Sequence, residues 1–222
     1  MTEKQKAYIA VAIVCVVWGT TYLANKIAVS AYPALQFSFI RVMIASVLIF
    51  AFFTLTGRGI RLPWKDLKHQ MVLGFFLITL GLGVGTASLK YLDSGIAALL
   101  ATLTPMIIVV FNMFMKLENP TTWLGWLGML IAVGGCIILL SGDVNFYSSR
   151  NGLLGLLLFS TCMIAWSFGS LYSKKPINQS RPMLNAAYQM FFGGLLMIPL
   201  GLIFEDWKME WFDATRAWAM VY

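Results

Sequence analysis

Seven stretches of this chain run apolar and unbroken for about twenty residues each, at roughly 7–29, 34–56, 70–90, 94–115, 122–140, 152–173 and 183–204. Inside hydrocarbon every backbone N–H and C=O must find its partner within the protein, which leaves helices and closed barrels as the spanning structures. The runs do not alternate in polarity and are too long for tilted strands, so they predict helices. Lys4 and Lys6 ahead of the first run give it the charge layout of a signal peptide. It exceeds the usual apolar length of one, however, and six further runs follow, so a permanent helix is expected. With 59% hydrophobic and 11% charged residues and a mean hydropathy of +0.79, an ordinary soluble domain is excluded. The fold class expected is an all-α polytopic membrane protein, with the lipid bilayer as its first partner.

Cys15, Cys136 and Cys162 lie inside apolar runs without CxxC spacing, which points to packing. The single histidine, His69, falls at a loop edge and leaves no metal cluster. No nucleophilic triad can be assembled, so neither an enzyme nor a cofactor is expected. The net charge of +7 is spread over short loops and makes no nucleic-acid stripe. One side of the membrane would hold Lys4, Lys6, Arg58, Arg61, Lys65, Lys68, Lys116, Lys174, Lys175 and Arg181, the other Lys26, Lys90, Arg150, Lys208 and Arg216. The basic excess places the N-terminus in the cytoplasm.

Sliding the chain by 148 positions lays Trp18–Lys26 (W-G-T-T-Y-L-A-N-K) over Trp166–Lys174 (W-S-F-G-S-L-Y-S-K), with Trp, Leu and Lys matching. The same offset, without a gap, sets Arg41 over Gln189 and Ala45 over Gly193. Chance likeness between apolar segments is one explanation and a repeat is the other. In a repeat, five spans form one unit, and the odd number inverts the second unit across the membrane. The first unit is then residues 1–142 and the second, incomplete, residues 143–222. Seven of about ten expected helices would be present, W-A-M-V-Y at 218–222 being the first turn of an eighth, with a second Pro-kinked helix expected near position 253.

Within the first run, Trp18, Thr21, Tyr22 and Asn25 fall at i, i+3, i+4 and i+7 and form one polar stripe on a helix. Its counterpart in the sixth run is Trp166, Gly169, Ser170 and Ser173. Such a stripe serves either a wet cavity or polar adhesion between helices. Arg41, two turns into the second run, costs about 2.5–3.5 kcal/mol to insert unless it is paired or hydrated. It is either a recognition group or a structural clamp, and all nine acids, Asp66 and Glu205 among them, are expected in loops or at helix ends. Pro105, at the centre of the fourth run, breaks the helix and frees carbonyls near Ala101 and Thr102, for repair by Thr102 and Thr104 or for use as a hinge. Gly81 and Gly85 in the third run, with Gly125, Gly128, Gly134 and Gly135 in the fifth, allow close helix approach and sliding.

W-G-T-T-Y-L-A-N-K-I-A, P-A-L-Q-F-S-F-I-R, A-S-L-K-Y-L-D-S-G-I-A-A-L-L-A-T-L-T-P and K-L-E-N-P-T-T-W-L-G-W-L-G-M-L-I-A-V-G-G occur in this order. Together they resemble the EamA-type branch of the drug/metabolite transporter superfamily. The resemblance implies two inverted five-helix repeats around a central cavity, and export of amino acids or other small metabolites across a bacterial inner membrane. It further implies cavity roles around Trp18, Tyr22, Tyr91, Thr104, Trp166 and Gln189. With the stripes and Arg41, the expected substrate-binding set is Trp18, Thr21, Tyr22, Arg41, Tyr91, Thr104, Trp166, Ser170 and Gln189. Pro105, Gly81 and Gly85 are the expected hinges. A small-molecule solute is the expected ligand, and a homodimer is compatible with the reading. The competing class is a polytopic scaffold that binds lipid or protein without moving solute.

Overall fold

The computed structural model describes residues 2–141, 149–175 and 181–207, among which there is no strand. The boundary between the two expected units, at 142/143, and the segment 218–222 lie outside the described residues. Helix α1 (Glu3–Val29) opens with a capping box in which Gln5 N–H donates to Thr2 Oγ1 and Thr2 N–H to Gln5 Oε1. Helix α2 (Ala34–Leu55) follows Pro33. The third span is α3 (Trp64–Leu73), a π-helical stretch (Gly74–Val84) and α4 (Gly85–Ser88) in one continuous rod. The fourth is α5 (Ser94–Ala101) and α6 (Thr104–Met115). Then come α7 (Trp123–Leu140), α8 (Arg150–Tyr172) and α9 (Pro182–Phe204). Six of these spans are long and apolar enough to cross a membrane, and the fifth apolar run gives a shorter apolar helix.

The third span is the axis of the bundle: half of its most apolar window is buried, against 6% for α1. Small residues set its two crossings. Toward α9, a Cβ on Gly193 would lie 2.6 Å from Gly74 O, and one on Gly74 would lie 2.6 Å from Gln189 O. Toward α8, a Cβ on Gly81 would lie 2.8 Å from the Trp166 ring, and one on Gly85 2.7 Å from Cys162 Sγ. Thr79 donates to Gly193 O at 2.8 Å and also reaches Gly74 O, five residues back in its own π-helical register. The close approach expected of the fifth run does not extend to Gly128, Gly134 and Gly135, which face open space.

One sequence expectation changes here. The third span starts at Trp64, behind Pro63 and with Asp66 in its first turn, where proline and an acid favour a helix N-terminus. Asp66 and His69, which lie ahead of the apolar run, are therefore helical and almost fully buried, not loop residues, as is Gln70 at the start of that run. Glu205 stands at a helix end, the C-cap of α9, as expected, and its side chain is only 6% exposed. Its carboxylate accepts from the N–H groups of Ala34 (2.8 Å), Leu35 (2.9 Å) and Gln36 (3.4 Å) at the start of α2, and from Lys90 Nζ at 2.6 Å. A carboxylate there satisfies orphan donors and meets the positive end of the helix dipole. Beside it, Lys26 Nζ donates to Leu89 O and Leu92 O and anchors α1 to the end of the third span. At the other end of α2, Tyr188 donates to Ile60 O at 2.8 Å and Arg181 donates to Arg58 O. Lys174 and Glu118 form an ion pair between the ends of α8 and α6.

Candidate functional site

The stripe on α1 divides among neighbours. Trp18 meets Trp166 edge to face, with ring centroids 5.9 Å apart. Tyr22 lies over Phe159 at 6.4 Å, in the cluster that also holds Val29, Leu89, Leu92 and Met163. Asn25, buried, turns instead to α2, where its Oδ1 accepts from Arg41 Nη1 at 2.7 Å. Thr21 needs neither cavity nor neighbour, because its hydroxyl donates to Val17 O at 2.7 Å within its own helix. The expectation that each polar group of the stripe seeks a partner outside α1 is corrected at this residue.

Arg41 is half-buried, and its guanidinium also stands 5.1 Å over the Phe37 ring. The amide oxygen answers its hydrogen bonding without cancelling its charge. Sequence reasoning identified both residues and missed their pairing, since the 16 positions between them span a turn.

Gln189 Nε2 donates to Gln70 Oε1 at 2.7 Å, which joins α9 to α3. Ser170 is half-buried, and its carbonyl accepts from Ser173. Tyr91 sits at the far end of the third span, packed through its Cβ beside Gly155 of α8. Thr104 begins α6, and its carbonyl faces Ser167 Oγ at 3.4 Å. Around Pro105 the helix is interrupted at Thr102–Leu103, and Thr102 Oγ1 donates to Leu99 O, not to the carbonyls of Ala101 and Thr102 that were expected to need repair. Thr104 joins the local network through its carbonyl, not its hydroxyl. A surface hollow lined by Lys116, Leu117, Glu118 and Asn119 follows α6 and includes none of the candidate residues.

The candidate residues thus fall into three groups. Trp18, Tyr22, Thr104 and Trp166 lie along α1, α6 and α8. Arg41 with Asn25 joins α1 to α2, while Gln189 with Gln70 joins α9 to α3. Sequence reasoning missed Gln70, Asp66 and His69 as members of a polar interior. Pro63 and Asp66, which begin α3 earlier than the apolar run, were the signal that could have found these three.

A long-spanned helical bundle whose helices meet through aromatic, amide and guanidinium groups is a polytopic membrane protein with a polar interior. A family model described as the EamA-like transporter family matches residues 5–141, and the chain belongs to that family. It is 30% identical over 189 residues to the Escherichia coli K12 protein named "Uncharacterized inner membrane transporter YedA", with 85% of this chain and 59% of that protein covered. The chain thus spans 59% of the length of that relative. The Bacillus subtilis protein named "Uncharacterized transporter YoaV" is 19% identical over 98% of this chain and 74% of its own length. A solved structure described as "Crystal structure of protein" matches with a TM-score of 0.64 at 21% identity, covering 98% of this chain and 73% of that one. At that identity the likeness concerns the fold alone.

Proposed function

We propose that this protein is a carrier that moves small amphipathic carboxylates, amino acids above all, outward across the bacterial inner membrane by alternating access. The observation that carries the reading is Arg41, a half-buried cation whose bonded partner is the neutral amide of Asn25. Such a group keeps its charge available to a solute carboxylate. The tryptophan pair Trp18 and Trp166, elsewhere along α1 and α8, offers an apolar surface for a side chain.

Two further features support the mechanism. Trp18 and Trp166 occupy matched positions of the 148-residue offset, as expected of inverted units 1–142 and 143–222 meeting across a pseudo-two-fold axis. The break ahead of Pro105 and the small-residue contacts at Gly81 and Gly85 give surfaces on which one unit rocks against the other. The N-terminus is assigned to the cytoplasm from the loop charges.

The test is efflux of a labelled amino-acid panel from vesicles holding the intact protein, wild type against Arg41→Gln. Wild-type efflux that the substitution abolishes is the expected result. Normal efflux by the variant removes Arg41 from the site. No efflux of any panel member removes the amino-acid reading.

A further inference from the structure

We propose that Asp66 and His69 form a proton-binding site by which the carrier is coupled to a proton gradient, an assignment that rests on the two-unit reading above. The two residues lie one turn apart on α3, at the i, i+3 spacing that puts side chains on one face. Both are 5% exposed. Among the described residues, Asp66 Oδ2 and His69 Nδ1 are buried without a hydrogen-bond partner. Leaving such atoms unpaired is costly, and cost persists in a fold where function uses it.

A proton taken up on the ring turns a neutral imidazole and a carboxylate on this face into an imidazolium and a carboxylate of opposite charge. Released, it restores the starting pair, so one proton enters and one leaves in each cycle. A metal ion does not fit: among the described residues no group of three or more His, Cys, Asp or Glu side chains is assembled.

The surroundings supply the coupling. The charges that reach His69 are Asp66, on its own helix, and Lys175, just beyond α8. Tyr172 of α8 stacks on the His69 ring at 4.8 Å, and Lys175 Nζ stands 4.4 Å over the Tyr172 ring. From α9 the facing group is neutral, Gln189 being bonded to Gln70, while Arg181 and Tyr188 turn to the carbonyls of Arg58 and Ile60. The proton site therefore belongs to the first unit and the opposing cation to the second. When the second unit rocks, Lys175 and Tyr172 move relative to His69 and its proton affinity changes. By reciprocity, protonation then biases the rocking.

His69 is the sole histidine, so its ring resonances in the intact protein in nanodiscs report this site alone. Asp66→Asn should make the ring harder to protonate and Lys175→Gln easier, each moving the titration midpoint by about one pH unit. A midpoint that neither substitution moves overturns the proposal. In proteoliposomes loaded with a labelled amino-acid mixture, the ratio of efflux with an imposed pH gradient to efflux without one should exceed unity in wild type and fall to unity in His69→Gln and Asp66→Asn. A ratio that survives both substitutions also overturns it. If no amino acid leaves the wild-type vesicles, the solute reading fails while the ring titration still decides the proton site.

Discussion

Trp18 of α1 and Trp166 of α8 stand edge to face, their ring centroids 5.9 Å apart and their planes inclined at 63°. The two rings are not equivalent in support. Trp166 also lies against the bare backbone of Gly81, whereas Trp18 is 53% exposed. Trp166→Ala should therefore destabilise the fold by about 3 kcal/mol or more, and Trp18→Ala by clearly less. A double-mutant cycle on thermal or denaturant unfolding in detergent should return a coupling of about 0.5–1.5 kcal/mol. Strict additivity would mean that the contact carries no energy of its own.

Asn25 and Arg41 make a second pair whose partners differ in consequence. Removing the amide with Asn25→Ala leaves a half-buried guanidinium short of its acceptor, for a loss of about 1.5–3 kcal/mol. Arg41→Gln removes the charge as well, and should therefore reduce stability less than Asn25→Ala while reducing solute efflux more. The same unfolding assay, run beside vesicle efflux, separates the two. If both variants lose stability and efflux in parallel, Arg41 is a clamp and not a recognition group.

Glu205 closes three N–H groups of α2 and the Lys90 ammonium from the end of α9. Its carboxylate is buried, while Lys90 is 31% exposed. Glu205→Ala opens the start of α2 and strands its donors, and about 3 kcal/mol or more should be lost. Lys90→Gln leaves the helix cap in place, so its effect should be much smaller. Proteolysis of the 30–33 turn should accelerate in the first variant alone, and equal acceleration in both would show that the ion pair, not the cap, holds this end.

How much of this was legible in the sequence follows from which physical force placed each group. The spans were, because unbroken apolar length is a one-dimensional property: α2, α8 and α9 lie within one or two residues of the runs that predict them. The Pro105 break was legible too, since proline acts on its own turn. The start of α3 was not, because polar residues open that helix and its burial depends on α8 and α9 covering it. What Glu205 caps was not legible either, because its partners at Ala34 and Lys90 lie more than a hundred residues away. Thr21 failed in the opposite direction, as a carbonyl four residues back satisfied what was assigned to a cavity. The aromatic and guanidinium residues were found; that Arg41 pairs with Asn25 was not, because pairing is decided by tertiary register.

The crossing of the third span with α9 tests whether backbone proximity holds these two helices together. A Cβ on Gly193 would lie 2.4 Å from the Cβ of Ile78 and 2.6 Å from Gly74 O, and atoms fixed to a backbone cannot yield as the end of a flexible side chain can. The helices would have to part, which would stretch the 2.8 Å hydrogen bond from Thr79 to Gly193 O. Gly193→Ala should thus cost about 1–3 kcal/mol, despite alanine's better helix propensity. Gly74→Ala, which would set a Cβ 2.6 Å from Gln189 O, should behave alike. Gly128→Ala on α7 meets nothing within 4 Å and serves as the control, with an expected change within about 0.5 kcal/mol or a slight gain. Unfolding of the three variants in one detergent decides it. If Gly193→Ala matches the control, the α9 crossing is loose enough to slide, and the packing assigned to it is wrong.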